Sequence, residues 1–145
     1  MGRGLYTLER VRSIEKRIAK NSFAEAERVR RVQEDRVITI EQQMEASRVA
    51  EALGADGGQA CWVANEHAWR IRLEGDLRRE VTVLERRMTE VRARRAELTD
   101  ADRAHRVVES AIERQEAEAE LEARRADGRR LDALAGVRWW REEHR

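Results

Sequence analysis

Gly54-Ala55-Asp56-Gly57-Gly58 is the single strong interruption in a chain that otherwise has every reason to be helix. Glycine reaches backbone conformations closed to other residues, and an aspartate among glycines favours a turn. The 145 residues contain no proline, so nothing else forces a helix to stop. The economical solution is all-α: two long helices folded back on each other as an antiparallel coiled-coil hairpin. Arm one covers about 5–53, the turn 54–59 and the longer arm two about 60–142, together one hairpin domain over 1–145. A plain homodimeric coiled coil and one unbroken rod are the competing architectures, and the paired glycines speak against the rod. The same glycines do not form a phosphate loop, because no Lys followed by Ser or Thr comes after them.

Periodicity on either side supports two arms. Val11, Ile14, Ile18, Ser22, Ala26, Val29, Gln33, Val37, Ile40, Met44 and Ser47 recur at close to 3.6 residues, with Ser22, Gln33 and Ser47 weakening the stripe. The second arm carries a cleaner heptad signal in Leu77, Val81, Leu84, Met88, Val91, Arg95, Leu98, Asp102, His105, Val108 or Glu109, and Ile112. Beyond Ile112 large apolar residues are rare until Leu131, Leu134 and Val137, yet Arg, Glu and Ala keep helix propensity high. At 1.5 Å per residue the arms would be roughly 70 and 120 Å long. Folding back then leaves about 30 residues of the second helix without an internal mate. That extension is the natural place for a partner.

Composition points the same way. Charged residues make up 41% of the chain and aromatics 4%, and mean hydropathy is -0.83, so a thin seam is expected rather than a thick core. No run approaches the 18 apolar residues of a membrane span, which predicts no integral membrane segment. Met1 to Arg10 is basic but lacks the apolar stretch of a secretory signal. The one cysteine, Cys61, has no internal disulfide partner, which makes a cytoplasmic location the default. The net charge of +1 conceals zones. Arg70–Arg95 holds nine Arg against five acids, +4, and Ala96–Glu122 holds three Arg against nine acids, -6. Alternating patches suit a protein partner, whereas a nucleic-acid rod carries basic residues along most of its length, so no nucleic acid is expected.

Catalytic chemistry has little to stand on. His67, His105 and His144 are far apart, and no Cys/His ligand spacing occurs. Asp102 and His105 stand at i and i+3 on one helix face, but a metal site in a bundle draws on several helices, and nothing comparable is evident on the first arm. A polar layer or a surface pair is the expected reading, with no catalytic residue, no metal and no cofactor. Cys61 lacks a nearby base and reads as a small packing residue. The tryptophans carry more information. Trp62 and Trp69 lie seven apart beside the turn, and Trp139 and Trp140 lie near the other end of the same arm, where shelter is scarce. Trp among Arg is a common interface composition, which makes both pairs interface candidates.

The run Tyr6-x-Leu8-x-x-Val11, the Arg/Glu/Ala-rich helix that follows it, the mid-chain break and the segment Arg129-Arg130-Leu131-Asp132-Ala133-Leu134-Ala135 resemble the flagellar export-ATPase stalk protein family, FliJ, over essentially the full chain. The resemblance implies a non-enzymatic antiparallel coiled coil, similar to the central stalk of rotary ATPases. It also implies three partners: the hexameric export ATPase, the cytoplasmic region of the export gate, and export chaperones. The location it implies is cytoplasmic, peripheral to the membrane export apparatus. Carried over residue by residue, Tyr6, Leu8, Val11, Leu131, Asp132 and Leu134 would belong to the end associated with the ATPase ring. Arg129, Arg130, Val137, Trp139 and Trp140 join them as interface candidates from their own composition. Cys61, Trp62 and Trp69 depart from the family's simplest pattern. A stalk protein of a non-flagellar type III secretion system would look similar, and a generic coiled-coil scaffold is the alternative.

Overall fold

A computed structural model describes residues 2–54 and 60–145, with side chains for all of these except residues 54 and 60–62. Two α-helices account for all of them but the last two, α1 (Gly2–Gly54) and α2 (Ala60–Glu143), which form an antiparallel two-helix hairpin. α1 starts about three residues earlier and each arm ends one residue later than periodicity placed them, even though the added residues of α1 include Gly2, Gly4 and Gly54. Of the expected turn, 54–59, Gly54 is the last residue of α1 and residues 55–59 lie outside the described residues.

Contacts divide the chain into two compact units. One pairs α1 from Arg17 onward with α2 up to Asp100. Its seam is thin: Val37, Leu73 and Val91 are buried, along with the polar Gln33 and Ser47. Each polar residue has a partner on the opposite helix, as a low-dielectric seam requires. Gln33 Nε2 donates to the Glu80 carbonyl at 3.0 Å and also to the Glu80 carboxylate. Ser47 donates to Glu66, and Arg70 reaches Glu51. The Arg95 guanidinium sits 5.6 Å from the Phe23 ring centre, a cation–π contact across the seam.

The other unit pairs the first residues of α1, up to Lys16, with α2 from Ala101. Here the apolar stripe expected from Val11 and Ile14 does not face α2. Both residues are exposed, and so are Tyr6 and Leu8. The face turned toward α2 carries Leu5, Glu9 and Lys16, which are half-buried. The reason is pairing: Lys16 Nζ meets Asp102 Oδ1 at 2.8 Å, and Glu9 meets His105. Polar partners on α2 select the polar face of α1. The α2 seam is close to expectation, with His105 and Val108 buried and Ile112 half-buried, and Val108 rather than Glu109 takes the inner position.

Gly2 lies beside Gln115, so α1 begins opposite that residue. From Glu116 onward every residue of α2 is exposed except Ala126 and Gly128. The predicted unpaired extension is therefore present.

Candidate functional site

The extension carries an unusual arrangement of large side chains. Leu131, Leu134, Val137 and Trp140 follow one another at steps of three, and each step falls about 60° short of a full helical turn. The four therefore wind around roughly half of the helix circumference instead of forming one stripe. Trp139 lies on the side they leave. All five are exposed, from 51% for Val137 to 67% for Leu131. Trp140 stacks on His144 at 4.6 Å, and His144 Nδ1 approaches the Trp140 carbonyl at 2.9 Å, which ties down the final turn. Arg129, Arg130, Asp132 and Arg138 are interleaved with the apolar residues and exposed. Residues 124–145 hold seven Arg against four acids, so the extension is basic where the preceding stretch is acidic.

Tyr6, Leu8 and Val11 do not join this cluster. The Tyr6 hydroxyl donates to Glu116 Oε1 at 2.6 Å, which places Tyr6 about 22 Å along α2 from Leu131 at 1.5 Å per residue. That hydrogen bond, followed by burial and the Glu116 charge, holds the Tyr6 phenol above its ordinary pKa. Leu8 and Val11 instead lie on a separate exposed face of α1, and Tyr6, also exposed, lies roughly 140° or more around the helix from them, against Glu116. Trp69 is exposed at 43%, and the Trp62 side chain lies outside the described residues.

Asp102 and His105 part company. Asp102 takes the Lys16 hydrogen bond and an ion pair with Arg106 at 3.0 Å. Its carboxyl is held below the usual carboxylate range chiefly by the Lys16 bond, against the effect of burial, with Arg106, Lys16 and His105 adding attraction. A depressed folded value means that Asp102 stabilises the fold above its unfolded pKa and loses that contribution as pH falls through the folded one. Asp102→Asn is expected to lower stability slightly at neutral pH, with the gap from the parent closing in acid. Urea midpoints across a pH series check this, and a gap that stayed constant into acid would contradict it.

His105 turns toward two carboxylates. Its Nε2 stands 3.1 Å from Glu9 Oε1 on α1, and its Nδ1 stands 3.6 Å from Glu109 Oε2 one turn along α2. Among the described residues, Glu9, His105 and Glu109 are the group whose donor atoms come within 4.8 Å of one another, near enough for a metal. The i,i+4 spacing of His105 and Glu109 was readable in the sequence. Glu9 was not, because the stripe on α1 pointed to the opposite face.

Elsewhere the helix pair offers open grooves, such as one of about 280 Å³ lined by Arg28, Val29, Val32, Gln33, Arg36 and Arg87. It does not, among the described residues, place a nucleophile beside a base. Among the described residues no helix is long and apolar enough to cross a membrane. No curated protein and no solved structure matches the chain. One family does match: flagellar FliJ protein, across residues 1–144. The chain therefore belongs to the FliJ family, non-enzymatic coiled-coil proteins of flagellar type III protein export.

Proposed function

We propose that this protein is a stalk or adaptor that binds the hexameric flagellar export ATPase, helps it assemble or stimulates it, and couples it to the cytoplasmic region of the export gate and to export chaperones. The observation that carries this reading is the extension of α2. A single partner helix would be matched by one apolar stripe, whereas side chains that wind around the axis suit a lumen whose subunits approach from several sides. Leu131, Leu134, Val137, Trp139 and Trp140 would supply the apolar anchors. Arg129, Arg130 and Arg138 would meet carboxylates on the ring wall, and charges of both signs on the chain would present different surfaces to successive subunits. Tyr6, Leu8 and Val11 would form a second contact nearer the start of α1, and Trp69 with Trp62 a contact near the turn. On this reading the protein works in the cytoplasm at the membrane export apparatus.

Replacing Leu131 and Leu134 together with Ala tests the anchor. Each truncated anchor is expected to cost on the order of 1 kcal/mol or more, so binding to the cognate ATPase should weaken at least about tenfold. Titration by fluorescence anisotropy, alongside ATPase stimulation, reads this. Unchanged affinity in a fully helical variant would remove these leucines from the interface.

A further inference from the structure

We infer that the helix pair spanning Arg17 to Asp100 carries a docking groove for a third helix, an amphipathic one with acidic central turns supplied by another protein. The two flanks of the seam differ. Around α1, Phe23, Glu27 and Arg30 lie to one side of the buried Gln33 and Val37, and Val29, Val32 and Arg36 lie to the other. The first side is closed. Phe23 receives the Arg95 guanidinium, and Arg30 is held by Glu27 at 3.1 Å and Glu34 at 2.7 Å. On the second side a hollow of about 280 Å³ is lined by Val29 and Val32, with Arg28, Gln33 and Arg36 around them and Arg87 from α2. It continues into hollows of about 250 and 490 Å³, the first sharing Val29 and Arg87 with it and the second Val32 and Arg36. The groove therefore follows α1 from Ser22 to Gln43, roughly 32 Å and about six helical turns. Val32 is 50% exposed on its floor.

Charge selects the occupant. Three guanidinium side chains and no carboxylate line the central hollow. Arg28 is already gripped by both carboxylate oxygens of Glu25. Arg36 and Arg87 make no ion pair among the described residues, and the sequence explains why. Arg36 has no acid three or four places away, while Glu90, at that spacing from Arg87, is taken by Arg94 at 2.9 Å. Two unpaired cations beside an apolar floor match a helix that offers aliphatic residues at i, i+3 or i+4 with carboxylates flanking them, as e and g residues do in coiled coils. Beyond the central hollow acids join the lining, Glu25 and Glu90 in one direction and Asp35 and Glu80 in the other, which confines the partner's own acids to its middle turns. A nucleic acid would need cations along the whole length, and a small anion would make no use of the valines. None of these residues belongs to the extension assigned to the ATPase ring, so the two contacts can be tested separately.

The probe is a synthetic amphipathic helix of about 20 residues, with Leu at heptad a and d, Glu at e and g of its middle heptad and Gln elsewhere. Labelled with fluorescein and used where it sediments as a monomer, it should bind the intact protein saturably, one per chain, by fluorescence anisotropy. A twin peptide with Lys in place of Glu should bind at least about tenfold more weakly. Arg36→Gln and Arg87→Gln alter exposed side chains, so folding is retained, and circular dichroism checks it. Together they should weaken the Glu peptide about fivefold or more, an effect that shrinks as salt is raised. Val32→Glu should abolish binding, since it removes the floor and gives Arg36 a carboxylate one turn away. Arg31→Gln, at an exposed arginine beside Glu27, should leave the affinity unchanged. No saturable binding, equal affinity for the two peptides, an equal loss in Arg31→Gln, or indifference to the Arg36 and Arg87 changes would each overturn the groove.

Discussion

Leu73→Ala is expected to destabilise the hairpin by about 2–4 kcal/mol, a large loss for a single position. At 2% exposed it is, among the described residues, the most thoroughly enclosed of the buried apolar residues, which otherwise comprise Val37, Val91 and Val108. Truncation to Ala removes three carbon atoms from a site where two helices can approach only as far as their other side chains allow, so a void remains. In a thick core neighbours from several directions partly fill such a void. A two-helix seam has one opposing surface, and about two turns to either side it is held by polar layers, Gln33 and Ser47, fixed by hydrogen bonds to Glu80 and Glu66. Urea unfolding followed by circular dichroism reads the change. Leu131→Ala is the internal control: it alters an exposed side chain on the extension and should shift the same transition by less than about 0.5 kcal/mol. Equal effects at the two positions would mean that the seam around Leu73 is not where the stability resides.

The legible and illegible parts of this fold divide along a physical line. Periodicity placed Gln33, Val37 and Ser47 on the inner face, and all three are buried. It also placed Val91, His105 and Val108 on the α2 seam. In those stretches the apolar pattern and the tertiary partner agree. Over the first turns of α1 they disagree, since Val11, Ile14 and Ile18 keep helical spacing but lie outward, Ile18 at 63% exposed. What decides the matter is on the other helix. Asp102 and His105 offer a carboxylate and an imidazole, and burying Lys16 and Glu9 against them satisfies groups that Val11 and Ile14 would have left unpaired. A single-helix pattern contains no information about the opposing face, which is why the cross-helix member of the Glu9–His105–Glu109 cluster escaped the sequence. Leu73 was missed for a smaller reason: the heptad stripe was started at Leu77, one turn too late. The unpaired extension was legible from unequal arm lengths alone. The winding order of Leu131, Leu134, Val137 and Trp140 is equally a property of sequence, though its exposure on every side is a property of the fold.

That exposure leads to the second large effect. Stopping the chain before Arg124 is expected to abolish association with the export ATPase and its stimulation while leaving the unfolding transition of the helix pair within about 0.5 kcal/mol of the parent. The two halves of this expectation rest on one fact. Residues beyond Glu116 bury almost nothing against α1, so their removal deletes no seam contact, and Tyr6 keeps its bond to Glu116. Helix content should fall in proportion to the residues removed, and the urea midpoint should not. The deleted segment also takes away seven Arg and four acids, together with the five exposed apolar anchors. A binding assay with the cognate hexameric ATPase, run with intact and shortened protein at matched ionic strength, separates the possibilities. Loss of binding with an unchanged midpoint assigns the ring contact to the extension. Equal binding by both forms would reject that assignment and turn attention to the outward face of Leu8, Val11 and Ile14, another exposed apolar surface of the same unit. If the intact protein itself does not bind, the stalk reading fails and a scaffold that engages other partners takes its place.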